Sequence, residues 1–231
     1  MTEIRWREII VALGLICSCS PVFAQVDQFL PEINFYSKLS SGTRIQLQAK
    51  QTREGGEPVQ AEIGPSVDFY LRPLIRLAKV TKFDLDDAKS RPLVLSLGYR
   101  YLAEGNGGVP TNRLMPVATS RFPISTKVLL TDRNRFDLDW KGGVFTWRYR
   151  NRFQVEGPVG IGSYHLTPYA SVEAFYQSQY GKWSETALYA GCILPVGKHV
   201  QFDSYYVHQN QTGKRPNEQL NQVGLILNLY F

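Results

Sequence analysis

The stretch Phe145 to Glu156, FTWRYRNRFQVE, decides the fold. Its odd positions carry Phe145, Trp147, Tyr149, Phe153 and Val155, and its even positions carry Arg148, Arg150, Arg152, Gln154 and Glu156. A helix would spread the three arginines around its circumference, whereas a strand gathers them on one face and the aromatics on the other. A strand of this length, at about 3.3 Å per residue and tilted by roughly 40°, rises about 30 Å, enough to cross an outer-membrane apolar band of about 25 Å. An arginine facing lipid near mid-depth costs about 2 to 4 kcal/mol, so three of them turn inward and the aromatic side meets hydrocarbon. The expected fold is therefore all-β, an antiparallel transmembrane β-barrel of about 10 to 12 strands.

Composition agrees with this but does not require it. The 231 residues are 43% hydrophobic, with a mean hydropathy of -0.23, and after the first 25 residues no apolar stretch is long enough for a spanning helix. A barrel strand turns only every second residue to lipid, so averaged hydropathy stays near zero. The 13% aromatic content suits interfacial girdles and equally suits a sandwich core. Residues 1 to 24 have the form of an export signal: Arg5 and Arg7, an apolar core from Ile9 to Ile16, then Val22-Phe23-Ala24 before Gln25. A competing reading acylates Cys19 as a lipoprotein site. Once the signal is removed, the barrel domain is 25 to 231, and Cys192 is left as a single small lipid-facing residue with no disulfide partner. The net charge of +6 belongs to the mature part. Its basic residues are spread along strands opposite apolar faces rather than gathered in a run, so no nucleic-acid partner is expected.

In order, alternating segments begin at Ile33, Ile45, Val67, Leu93, Arg113, Val128, Phe145, His165, Glu185, Val200 and Val223, separated by turn-rich stretches. Glu54 to Pro58 reads as a polar loop, Pro73 interrupts the third segment before Ile75 and Leu77, and Lys82 to Pro92 is acidic and turn-like. That makes about eleven segments. Bacterial barrels with both termini in the periplasm have an even number of strands. The expectation is therefore ten, with the Ile33 segment incomplete, or twelve, with one strand unrecognised.

The last segment sets Val223, Leu225, Leu227, Leu229 and Phe231 against Gln222, Gly224 and Asn228. It resembles the closing strand of outer-membrane barrels, which implies that Leu227, Leu229 and Phe231 are read by the barrel assembly machinery. The runs WRYRNR from Trp147, HLTPYASVEAFY from His165 and RPNEQLNQVGLILNLYF from Arg215 resemble the bacterial outer-membrane family called domain of unknown function 2490. That resemblance implies a predicted barrel in the outer membrane of a double-membraned bacterium, in contact with its lipid, and no established activity.

Three histidines are the candidates for chemistry. His208 lies at the outer end of its strand, where lipid hydrolases place a histidine near a serine, but the residue two further along the same face is Asn210, which is not a nucleophile. His165 and Thr167 share a lumen face near the opposite turn, and His199 flanks a turn. No metal-ligand spacing or phosphate-binding glycine loop is present, and no cofactor is expected. More informative are the charges on polar faces: Arg133, Arg135, Asp137, Arg148, Arg150, Arg152, Glu156, Glu173, Glu185 and Asp203. Enclosed, they must pair across strands or meet water. They either brace a sealed interior or line a narrow pore whose arginine wall favours anions. A non-enzymatic barrel is the preferred reading. The alternatives are an outer-membrane lipid hydrolase and a soluble periplasmic barrel holding an apolar ligand.

Overall fold

The computed structural model describes residues 27–71, 85–125, 127–162, 164–213 and 217–231. The signal segment at 1 to 24, Cys19, and the Pro73, Ile75 and Leu77 portion of the third segment lie outside the described residues.

Among the described residues, eleven long strands and one short one form a single barrel. They are β1 (Gln28–Ser40), β2 (Thr43–Glu54), β3 (Glu57–Tyr70), β4 (Leu93–Glu104), β5 (Thr111–Pro123) and β6 (Leu129–Lys141), then β7 (Val144–Glu156), β8 (Val159–Ile161), β9 (Tyr164–Gln177), β10 (Lys182–Val196), β11 (Val200–Gln211) and β12 (Glu218–Tyr230). Neighbours are consecutive and antiparallel, except that three-residue β8 only folds back on β9, leaving β7 to pair directly with β9. The ring closes where β1 meets β12, and there the strands are parallel, from Gln28 opposite Gln222 to Tyr36 opposite Tyr230.

This closure corrects the expected parity. Strands that alternate in direction around an odd ring leave the first and last running the same way, and here those two hydrogen-bond as a parallel pair. The count is neither ten nor twelve. The Ile33 segment is a full 13-residue strand, and the Arg113 segment is another. Residue 27 and Phe231 consequently lie at opposite rims. β4, β6, β9 and β11 end at the rim of Gly55, and β3, β5, β7 and β10 end at the rim of Gly42.

Local chemistry explains the hairpins. Gly55-Gly56 and Gly142-Gly143 have φ of +56°, +91°, +57° and +82°, the left-handed values that a two-residue hairpin turn demands at both positions. The stretch at Glu54 to Pro58 is thus a tight turn rather than a loop, and β3 begins ten residues earlier than the alternation at Val67 suggested.

The pleat then sorts the side chains. Ile33, Leu47, Ile63, Leu97 and Leu188 stand on the outer wall, each about half exposed. Trp147 stacks on Tyr176 at 5.5 Å and Tyr149 meets Phe136 at 5.0 Å on the same wall, with no second sheet above them among the described residues. A polar island interrupts this surface on β6 and β7: Asn151 donates to Asp132 (2.8 Å) and Asn134 (3.0 Å), and Tyr149 donates to Asn134 (2.5 Å).

Candidate functional site

The inward residues enclose a cavity of about 570 Å³. Its most charged wall is the β6–β7–β9 face. The register sets Arg133 opposite Arg152, Arg135 opposite Arg150 and Asp137 opposite Arg148, so two of three successive inward pairs are like-charged. Directly opposed like charges destabilise a sheet unless something neutralises them. Asp137, fully buried, accepts from Arg135 Nε at 2.5 Å and Arg148 Nη2 at 2.8 Å, with Arg150 Nη1 at 3.8 Å. Glu173 accepts from Arg150 Nε (2.9 Å), Arg152 Nη2 (2.7 Å) and the Tyr189 hydroxyl (2.9 Å). Arg150 also lies over the Phe175 ring at 4.7 Å, and Arg152 over Tyr189 at 4.1 Å. Arg133 is the exception. Among the described residues no carboxylate forms an ion pair or hydrogen bond with it.

The remaining charges named from the sequence are placed elsewhere on the inner wall. Glu156 accepts from Lys89 at 2.7 Å and from Gln154 at 2.6 Å. Glu185 is held by amides, from Gln209 at 2.7 Å and Gln177 at 3.1 Å, and Asp203 accepts from Tyr169 at 2.9 Å. Around the closing seam the lining changes character. Asn34 donates to Asn228 (3.1 Å), Gln46 to Asn34 (2.8 Å), Gln48 to Glu32 (2.5 Å) and Gln222 to Gln28 (2.6 Å). Gln28, Gln60, Gln209, Gln211 and Gln222 continue this amide surface to the mouth at the Gly55 rim.

At the Gly42 rim a strap crosses the mouth. Its 3₁₀ turn, Asp87–Ser90, is capped by Asp86, whose side chain accepts from Ala88 N. Arg44 of β2 binds Asp86 at 2.6 Å and Asp68 at 2.7 Å, Arg121 of β5 donates to the Ala88 carbonyl at 3.0 Å, and Lys89 reaches Glu156 of β7. Ala88 is almost fully buried. Burial opposes ionisation of Asp86, but Arg44, with Arg121 and Lys89 behind it, overcomes that and lowers the carboxyl to about 2. The sequence reading missed this strap as part of the site. The available signal was Asp86-Asp87 ahead of Lys89 in a connection far longer than a hairpin needs.

The histidines are kept apart. His208 lies on the outer wall with its Nδ1 3.0 Å from Asn221 Oδ1, an oxygen that also accepts from Tyr206 at 2.6 Å. His199 sits in the turn before β11, 2.7 Å from the Tyr230 carbonyl and stacked on Phe231. His165 pairs with Gly160 in the β8–β9 hairpin, at the Gly42 rim, and Thr167 beside it is buried. Cys192 is half-buried on the outer face of β10. Leu227 and Leu229 face outward on β12, and Phe231 stacks on Phe35 at 4.9 Å across the seam.

A single-walled barrel with an ionised interior and an apolar exterior is the class of protein that these features define. The chain belongs to the family described as "Protein of unknown function (DUF2490)", which matches residues 32–220. The fold is similar to that of a solved structure titled "Bacterial polysaccharide outer membrane secretin", with a TM-score of 0.53 at 10% identity, over 84% of this chain and 67% of that one. No curated protein matches the chain in sequence.

Proposed function

We propose that the protein is a non-enzymatic integral outer-membrane barrel and a narrow passive conduit whose arginine wall favours anions. The observation that carries the membrane placement is the outer surface. Soluble monomers rarely expose apolar patches beyond a few hundred Å², whereas here Ile33, Leu47, Ile63, Leu97, Leu188 and Leu225 stand outward on strand after strand. The likeness of fold to a protein titled as an outer-membrane polysaccharide secretin supports the same placement. A cavity lined by arginine, carboxylate and amide suits small hydrophilic solutes and suits an apolar ligand poorly. His208, held by the Asn221 amide on the outer wall, has no serine in its hydrogen bond, which leaves a lipid hydrolase without its nucleophile.

The strap makes the conduit restrictive. It closes the Gly42 rim onto β2, β5 and β7, so conductance of the intact protein is expected to be small and to increase in Lys89→Gln, which releases the anchor on Glu156. The test joins fractionation to electrophysiology. The protein should sediment with outer membranes, migrate differently on gels before and after boiling, and pass anions in preference to cations in planar bilayers. Recovery as a soluble periplasmic protein would overturn the membrane placement. Absence of current in both the parent and Lys89→Gln would overturn the conduit.

A further inference from the structure

We propose that the β6–β7 wall holds a saturable site for an oxyanion bearing two or more negative charges, of phosphoryl or polycarboxylate type, with Arg133 and Arg152 as its principal ligands. This rests on reading the lumen as a solvated conduit, but it is a claim about equilibrium binding rather than flux.

The argument begins with the register. Arg133 opposes Arg152 and Arg135 opposes Arg150 on one inward face, an arrangement that a sheet tolerates only with counter-charge between the guanidiniums. The protein supplies two carboxylates at this place, Asp137 and Glu173. They engage Arg135, Arg148, Arg150 and Arg152, and leave Arg133 without an acceptor among the described residues. The next carboxylate along the wall, Glu185, is taken by the amides of Gln177 and Gln209 rather than by a guanidinium. On the inward face of β2, Lys50 also lines the cavity, but the register sets it between Glu32 of β1 and Glu62 of β3, so its charge is faced by carboxylates on both sides and Arg133 stands alone. Arg133 thus lines a largely enclosed space with no ion-pair partner among the described residues, a costly position for a charge.

Planar guanidinium forks recognise two oxygens at once, a geometry that phosphate and carboxylate groups share and chloride lacks. Arg152 is held in position by Glu173 and the Tyr189 ring, so it is preorganised, whereas Arg133 is free to turn onto a ligand. That combination, one fixed fork beside one uncommitted one, distinguishes a binding site from a bracing ladder in which every charge is already met.

The test is calorimetric titration of the full-length folded barrel in detergent with inorganic phosphate, pyrophosphate, a dicarboxylate and chloride, at constant ionic strength and neutral pH. Saturable one-to-one binding of a multivalent oxyanion is expected, with chloride at least tenfold weaker. Comparing pyrophosphate with the dicarboxylate tells phosphoryl from carboxylate recognition. Arg133→Gln should weaken binding about tenfold or more, the loss expected for one charged hydrogen-bond donor, and Arg133→Lys should recover part of it. Arg133→Gln removes a charge that no described carboxylate pairs, so the variant should fold, and the oxyanion should raise the gel-shift temperature of the parent but not of the variant. Equal binding of chloride and oxyanion, or binding unchanged in Arg133→Gln, would overturn the site. Binding without current would leave the site standing and overturn the conduit alone, while anion-selective current that never saturates would do the reverse.

Discussion

The barrel has two walls built on opposite principles. Around β6, β7 and β9 the inner face is made of full charges, with Arg135, Arg148 and Arg150 converging on Asp137 and Arg150 and Arg152 on Glu173. Around β11, β12, β1 and β2 it is made largely of amides, with Asn34, Gln46, Asn228, Gln28 and Gln222 passing hydrogen bonds from strand to strand. The charged wall consists of ordinary antiparallel pairs, and the amide wall contains the parallel seam. The difference teaches that side-chain chemistry and backbone closure are separate problems. Charges fix register where a slip by one residue would turn them outward. At the seam, amides, which donate and accept alike, satisfy a lining that carries few charges.

The seam offers the largest effect to look for, because its topology is all or none. In a background with Cys192→Ser, the pair Ile33→Cys and Leu227→Cys should form an intramolecular disulfide, since these residues are partners on the outer face of the parallel ladder. Adjacent strands lie about 4.8 Å apart, within the span a disulfide bridges. A barrel of ten or twelve strands, closed antiparallel, would not give this register. Failure to cross-link under mild oxidation would break the eleven-strand closure.

The charged wall gives the next largest effect. Asp137→Ala leaves Arg135 and Arg148 facing each other with no carboxylate between them, and unpairing a buried charge network of this kind costs about 3 to 5 kcal/mol. Urea unfolding of the refolded barrel, followed by the heat-dependent gel shift, should show a loss of that size. A change below about 1 kcal/mol would mean that water, not Asp137, neutralises the wall.

The two walls also mark how far the sequence could be read. The inward and outward faces of β7 were legible because three arginines and five apolar residues alternate from Phe145 to Val155, with Asn151 the one polar residue on the apolar side. Most of the segments were legible too from their own alternation, whereas the third was read from Val67 although β3 begins at Glu57. Parity was not, because strand direction at the seam depends on the rim at which β1 starts, and periodicity is blind to direction. Nor were the partners: which arginine meets Asp137 and which meets Glu173 depends on register between strands, and Arg133 has the same sequence signature as its paired neighbours. Asp132 and Asn134 break the alternation of β6 on its apolar side, but their contact with Asn151 depends on the β6–β7 pairing. The strap was the least accessible, since the partners of its capping aspartate and of Lys89 come from strands as distant as β2 and β7.

The strap supplies the smallest of these effects and the one that pH controls. Asp86 has its carboxyl lowered to about 2 in the folded protein, against an ordinary value of 3.8, because Arg44 outweighs the penalty of burial. A carboxyl whose folded value is depressed binds protons more readily when released, so its contribution is fully present above about pH 4 and is lost as pH falls through about 2. The shift corresponds to about 2 kcal/mol of attachment for the strap. The strand ladders on either side of the strap do not depend on Asp86, so the barrel wall should survive while the strap lets go. Proteolysis within residues 85–92, measured from pH 6 down to pH 2 with an acid-active protease, should accelerate only toward the acid end, and Asp86→Asn should show the fast rate throughout. A rate unaltered in Asp86→Asn would place the anchor on Lys89 and Glu156 instead and so shift the hold on the strap from β2 to the charged wall.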